Sequence, residues 1–536
     1  MNKGGIFYME KIQILDVSFS YGEREIIKVD ELTIYEDQKI GIVGINGTGK
    51  TTFLKLIHHD LEPETGVIKT KGKIAYAKQL DEKIDSASTK SGGEKMMEIL
   101  EEKLQEKADI LLLDEPSSNL DYVHLETLTQ KLKKHKGTLL VISHDRALLD
   151  EVCNTILEIE EGKLQLYRGN YSSYQYQKQA QKQRKLDQYE QGKKEKARLE
   201  QAIKKSNQRA KAMKKTPTRM GNSEARLHKR ETENIREKVE KHKKALETRV
   251  NQLEKLEKPK TDYQVHFRVL DSQKIKNKEV VSSDSFSLTI AGKRFIQESK
   301  FVILTNKITV LMGRNGSGKT TFIKEILKQN PKVHITPQAK IGYFSQNLDI
   351  LNSTQTMLEN IKETSIQEES VIRSVLANLN LQGNKIHQLV SSLSGGEKVK
   401  VALAKLLVAK ANFLILDEPT NFLDIESINA LTELIKRYPG TILLVSHDRK
   451  LIDEVADELL IIEHQQLIHF SGNYTAYQKY QADRQKPNSN RNDSLLFNFQ
   501  LSKLDTQIAL TRDEQEKKNL MKQRELLIKQ YLEKKG

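Results

Sequence analysis

Residues Gly44–Thr52 read GINGTGKTT, and Gly313–Thr321 read GRNGSGKTT. Each fits GxxxxGK[ST], with an apolar, strand-like lead-in (KIGIVG, ITVLMG) and a helical sequel (FLKLIH, FIKEIL). In that strand–loop–helix setting the backbone N–H groups of the loop wrap the β- and γ-phosphates of a nucleotide. Gly44, Gly47 and Gly49 let the backbone approach closely, Asn46, Thr48 and Thr52 complete the loop, Lys50 brings charge and Thr51 a hydroxyl for Mg²⁺. Gly313, Asn315, Gly316, Ser317, Gly318, Lys319, Thr320 and Thr321 repeat the arrangement. The fold class that follows is α/β, with one P-loop nucleotide-binding domain built twice.

Working outward, the duplication extends through the chain. KIAYAKQ at Lys73–Gln79 returns as KIGYFSQ at Lys340–Gln346, and SGGEK, LLLDEP and SHDR return as SGGEK, LILDEP and SHDR at a common offset of 303 residues. The P-loops are offset by 269 and the glutamines by 267, so the second copy carries 36 more residues between its glutamine and its SGG motif. That interval is cut to Leu80–Lys90 in the first copy, which leaves little room for a helical subdomain. In the second it runs from Asn347 to Leu393 and includes the helix-spaced SVIRSVLANLNL.

ILLLDE and FLILDE read as buried strands ending in two acids. Asp114 and Asp417 take the place of the Walker B aspartate that holds Mg²⁺. Glu115 and Glu418, one residue on, are placed to polarise an attacking water as general bases. His144 and His447 follow apolar strands and can contact a γ-phosphate, while Gln79 and Gln346 can reach the metal and the water. A lone histidine is more often structural; recurrence in the same ordered series reverses that expectation.

SGGEK at Ser91–Lys95 and Ser394–Lys398 resembles the LSGGQ signature of the ATP-binding-cassette (ABC) ATPases, with glutamate in the last place and Lys90 for leucine in the first copy. In that family the signature caps the γ-phosphate bound by the opposite cassette. The resemblance therefore implies two composite sites, one joining the Lys50 loop to Ser394, Gly395 and Gly396, the other joining the Lys319 loop to Ser91, Gly92 and Gly93. ATP would hold the halves together and hydrolysis release them. Tyr21 stands 23 residues before Gly44, where the family stacks an aromatic on adenine; the same count before Gly313 reaches Ile290, with Phe295 a candidate substitute.

The formal net charge is +15. Gln175–Lys260 holds 27 Lys and Arg against 12 Asp and Glu, so this segment accounts for all of the excess. It reads as two long antiparallel helices broken by TPTRMGNS, with a tip at Lys211–Ser223 carrying Lys211, Met213, Lys214, Lys215, Arg219 and Met220. Helices of about 40 residues would carry that tip about 60 Å. The expected domains are 9–170, a first cassette without an inserted arm; 171–260, the basic linker; 261–485, the second cassette; and 486–536, a helical extension. No run approaches the 18 apolar residues of a membrane span, the start lacks a signal peptide, and Met9 is a second candidate start. One cysteine, Cys153, suits a reducing cytoplasm.

Tandem cassettes, a long charged linker and EPTNFLD at Glu418–Asp424 resemble the ABC-F family of ribosome-binding ATPases. The long linker, missing arm and C-terminal extension resemble its Vga and Lsa type of antibiotic-resistance proteins. That resemblance implies a cytoplasmic, monomeric ATPase that enters the ribosomal E site and turns its linker toward the P-site tRNA and 23S rRNA. There it would displace pleuromutilins, lincosamides or streptogramin A. The alternative within the family is a translation factor for stalled ribosomes without a drug role. A transporter subunit and a DNA-repair ATPase share the cassettes but not the linker.

Overall fold

In a computed structural model the described residues are 9–78, 92–118, 120–212, 237, 240–253, 265, 267, 275–290, 292–345, 347–485, 501, 504, 508 and 514–535. The chain divides into two compact units, Met1–Tyr171 with Tyr263–Gly536, and Ser172–Asp262. Both P-loops belong to the first unit.

The first cassette contributes β1 (Glu10–Tyr21), β2 (Arg24–Tyr35), β3 (Lys39–Val43), β4 (Thr65–Thr70), β5 (Ile74–Ala77), β6 (Ile110–Asp114), β7 (Thr138–Ile142), β8 (Thr155–Glu160) and β9 (Lys163–Arg168). Among the described residues these form one sheet in the order β4-β1-β2-β9-β8-β3-β7-β6-β5. Its parallel part, β8-β3-β7-β6-β5, is why ILLLD and TLLVI lack alternation: both faces are covered, so every residue of β6 and β7 is buried. The antiparallel β1–β2 hairpin has one covered face and alternates accordingly.

The second cassette repeats the design with β10 (Glu279–Ile290), β11 (Lys293–Leu304), β12 (Ile308–Gly313), β13 (His334–Ile335), β14 (Ile341–Phe344), β15 (Phe413–Asp417), β16 (Thr441–Val445), β17 (Glu458–Glu463) and β18 (Gln466–Ser471). Its sheets run β11-β10-β13 and β14-β15-β16-β12-β17-β18. In each cassette the P-loop strand lies between the strand leading to the histidine and the next strand along, with the glutamate strand one place further out. The chemistry-bearing residues therefore all leave the same edge, the carboxyl ends of parallel strands, where open α/β sheets bind ligands.

The longer interval of the second copy holds the helices Met357–Lys362 and Glu369–Asn378 with short 3-10 turns at Gly383–His387 and Val390–Ser392. Ile372, Val375 and Leu376 of SVIRSVLANLNL are the buried stripe expected from their spacing. Asn380 donates from Nδ2 to Glu426 Oε2 at 3.2 Å, tying this subdomain to the Ile425–Arg437 helix. The corresponding interval of the first copy lies outside the described residues. Cys153 is buried behind β3, and burial pushes its thiol up to about 12, which keeps it protonated and unreactive.

In the second unit the helix Tyr171–Ala212 spans 42 residues without proline, about 63 Å at 1.5 Å per residue. Residues 240–253 are helical too, and Arg249 donates from Nε to Glu195 Oε1 at 3.2 Å, so the returning helix lies beside the outgoing one. Of the tip, Lys211 lies in the described helix, while Met213, Lys214, Lys215, Arg219 and Met220 lie outside the described residues. In the C-terminal segment Glu514–Lys535 is helical; most of the other helix expected there lies outside them too.

Candidate active site

The two P-loops superimpose in their backbone logic. Gly49 and Gly318 both have φ of 96° and start the helices Lys50–Ile57 and Lys319–Leu327 with no side-chain cap. The first-turn N–H groups are thereby left for an anion. A Cβ on Gly49 would sit 2.5 Å from Ile26, which adds a steric reason for glycine to its left-handed φ.

Lys50 Nζ donates to the carbonyls of Gly44 (2.8 Å) and Ile45 (3.1 Å), and Lys319 Nζ to those of Gly313 (2.9 Å) and Arg314 (3.2 Å). Burial lowers both lysines' pKa, while Glu115 on Lys50 and Glu418 on Lys319 pull the other way. The Thr51 hydroxyl works against Asp114's burial, and the Thr320 hydroxyl against Asp417's, which places each P-loop threonine beside its Walker B aspartate. Burial raises both aspartates above the usual carboxylate range.

Beyond them the backbone takes φ of 50° at Glu115 and 51° at Glu418, left-handed for a non-glycine residue and a cost of about 1–3 kcal/mol each. The twist aims each side chain at its histidine: Glu115 Oε1 lies 3.3 Å from His144 Nε2 and Glu418 Oε1 3.3 Å from His447 Nε2. Burial pushes Glu418 up to about 7 and His447 down to about 3, which keeps this histidine neutral. Glu115 Oε1, Glu418 Oε1, Asp417 Oδ1, His144 Nδ1 and Ser317 Oγ are buried without a hydrogen-bond partner among the described residues. Buried orphans cost about 1–3 kcal/mol each, and their convergence beside two lysines fits a polyphosphate with a divalent cation.

The loops between cassettes close on each other. Asn46 Nδ2 donates to the carbonyl of Phe422 at 3.3 Å, and the Asn315 amide donates to Asp121 Oδ2 at 3.0 Å. Each P-loop thus touches the EPxxxLD loop of the other cassette. Ser394 accepts from the Glu397 amide while Glu397 Oε2 accepts from Ser394, a capping box that explains glutamate in the signature. A Cβ on Gly396 would lie 2.9 Å from the Phe422 carbonyl, so the signature glycine is what lets the helix start pass under that loop. Gly92 and Gly93 begin the helix Gly92–Gln105 of the first copy, whereas Ser91, Gln79 and Gln346 lie outside the described residues.

Tyr21 ends β1 and is 55% exposed, open to a planar ligand. The 269-residue offset carries Tyr21 to Ile290 and Ile26 to Phe295. Phe295 accordingly packs against Gly318 beneath the P-loop, as Ile26 does against Gly49, and Lys293 Nζ lies 5.5 Å from its ring. It takes Ile26's place and not Tyr21's.

Residues without a motif of their own also line the sites. Tyr76 donates to Asp114 Oδ2 at 3.5 Å, and Tyr343 is its counterpart beside Asp417. Lys400, within the signature helix, pairs with Asp424 at 3.4 Å. Of these, the tyrosines alone had a sequence signal, their recurrence in KIxY.

A profile described as ABC transporter matches residues 27–85 and 296–421. The chain is 33% identical over 462 residues, 81% of its length and 93% of the other's, to the Erythromycin resistance ATP-binding protein MsrA of Staphylococcus epidermidis. It belongs to the ABC-F family of ATP-binding proteins. This ABC-F protein is also 30% identical to the Ribosome protection protein VmlR of Bacillus subtilis, over 84% of its own length and 87% of that protein's. Among solved structures it resembles an archaeal ribosome recycling factor, aABCE1, at a TM-score of 0.57 with 17% identity, covering 87% of this chain and 92% of that one; this likeness concerns the fold. The ABC-F chain is an ATPase. Among its described residues no helix is long and apolar enough to cross a membrane.

Proposed function

We propose that this ABC-F ATPase binds the ribosome in its ATP-closed form, enters the E site, and uses the segment between its cassettes to displace antibiotics from the peptidyl-transferase centre. The observation that carries this reading is the confinement of the whole net charge to a unit built on a 42-residue helix. Basic side chains along a long, poorly aromatic helical segment suit rRNA and tRNA phosphates and A-form shape, not base stacking. The names of the relatives, one an erythromycin resistance protein and one a ribosome protection protein, point the same way.

The cassettes act as the clamp. Lys50 and Lys319 with the helix N-termini bind the phosphates, and Tyr21 stacks on the base at the first site. Thr51 with Asp114, and Thr320 with Asp417, hold Mg²⁺, which supplies charge neutralisation when bound. Glu115 and Glu418 orient water and accept its proton, with His144 and His447 fixing their carboxylates. Gln79 and Gln346 complete the metal and water shell, and the serine and glycines of each signature cap the opposite nucleotide.

Two measurements test the reading. With both glutamates replaced by glutamine, the chain should pellet with ribosomes in ATP and stay in the supernatant without it; ATP-independent behaviour would end the ribosome assignment. In cells, removing Lys211–Ser223 should abolish resistance to pleuromutilins, lincosamides and streptogramin A while pelleting persists. Erythromycin belongs in the same panel because of the relative's name. Intact resistance after the deletion removes the tip as the displacing element, and no resistance from the unaltered chain leaves the translation-factor alternative standing.

A further inference from the structure

Both histidine loops end in the same three residues, His144-Asp145-Arg146 and His447-Asp448-Arg449, and both arginines cross into the opposite cassette. Arg146, 2% exposed, donates from NH1 to Asn429 Oδ1 at 2.7 Å; its NH2 lies 3.4 Å from Asp448 Oδ2 and its NH1 3.6 Å from Glu454 Oε1. Arg449, 7% exposed, donates from NH2 to Thr129 Oγ1 at 3.4 Å; its NH2 lies 4.0 Å from Asp145 Oδ2 and its NH1 3.5 Å from Glu151 Oε1. The 303-residue offset maps Arg146 on Arg449, Asp145 on Asp448 and Glu151 on Glu454. The carboxylate contacts are therefore one arrangement made twice, while the neutral partners Asn429 and Thr129 are not equivalent positions.

Each aspartate does two things. Asp145 Oδ1 accepts the amides of Ala147 and Leu148, and Asp448 Oδ1 that of Leu451, so each caps the helix its own loop begins. The same carboxylates face the other cassette's arginine. One residue earlier, each histidine meets its glutamate at 3.3 Å. A chain of close approaches results, from Glu115 through His144 and Asp145 to Arg449 and from Arg146 through Asp448 and His447 to Glu418, in which only the Arg146–Asp448 contact has hydrogen-bond geometry.

Stability alone gives no reason for this construction, because a buried ion pair is usually no better than apolar packing of the same volume. What it supplies is an electrostatic link between two loops that must each move when its site empties. We propose that the crossed arginine–carboxylate pairs couple the two histidine loops, so that a loop held by ATP at one site opposes release of the loop at the other. Arg146 and Arg449 are positioning residues in this scheme. The proposal rests on Glu115 and Glu418 being the bases.

The test compares fractional losses, which a general weakening of the fold does not change. With the arginines intact, Glu115→Gln should lower steady-state hydrolysis at saturating ATP about tenfold, since the trapped site restrains its partner. In an Arg146→Met, Arg449→Met background the same Glu115→Gln change should remove only about half of that background's rate, as for independent sites. If the methionine pair does not fold, Arg146→Lys with Arg449→Lys keeps both charges without the planar fork and should shift the fraction in the same direction. An identical fractional loss with and without the arginines overturns the coupling. A full rate in Glu115→Gln itself overturns the base assignment, and the coupling with it.

Discussion

Replacing Glu115 and Glu418 together by glutamine is expected to lower ATP hydrolysis about 10²–10⁴-fold while leaving nucleotide binding in place. Glutamine keeps the length of the residue and one oxygen to accept the amide of the following histidine loop, but removes the proton acceptor. The left-handed backbone at both positions persists, because it is imposed by the strand end and by the hydrogen bonds that the Glu115 and Glu418 amides donate to the Ile142 and Val445 carbonyls, at 2.9 Å each. Binding survives because neither carboxylate belongs to the P-loop lysine and amide cradle. Phosphate release measured against fluorescent-nucleotide titration separates the two effects. Equal loss of both would show that the glutamates hold nucleotide and do not act as bases.

The second large effect concerns folding. Lys400→Met should destabilise the second cassette by about 3–5 kcal/mol, because it strands a carboxylate that is 2% exposed. Burial alone would raise the Asp424 pKa; Lys400 and the amide and hydroxyl of Ser427 outweigh it and hold the group below the usual range. A depressed native pKa contributes stability above the unfolded value of about 3.9, lost as pH falls through the native one. The wild type should therefore lose this increment on acidification and the variant should have little to lose. Thermal melts of the full chain read the difference, expected at roughly 10 °C near neutral pH. Adding Asp424→Asn should recover part of it; no change on Lys400→Met would show the pair to be solvated.

The elements legible in the sequence were those whose chemistry is contiguous. A P-loop, an acid pair at a strand end and a serine-capped helix each need their residues within a few positions, so Lys50, Asp114, Glu115 and Ser394 were readable, and duplication supplied a second reading of each. The crossed arginines were not. Arg146 meets Asn429 and Asp448 across 283 and 302 residues, and nothing in SHDR announces where its last residue points. Phe295 misled for a related reason: an aromatic was expected at the base-stacking place, but it falls in the irregularity between the Thr289–Arg294 and Leu288–Ile296 pairs, beneath the loop. The shortened interval of the first copy was visible as a count of residues, and the second copy's subdomain as a helical stripe.

One oxygen atom shows how far the copies have diverged. Asp121 and Asp424 are equivalent, and each uses Oδ1 to cap its own helix, but Oδ2 of Asp121 receives the Asn315 amide whereas Oδ2 of Asp424 receives Lys400. Methionine stands at the place of Lys400 in the first copy, Met97, so the choice of partner is written into each half. The exchange symmetry left by duplication is consequently broken at the interface. Two copies of the second half would meet with both aspartates already engaged, and two copies of the first would lack the Lys400 pair altogether. The halves are heterologous partners, and their fusion into one chain guarantees that each always meets the other kind.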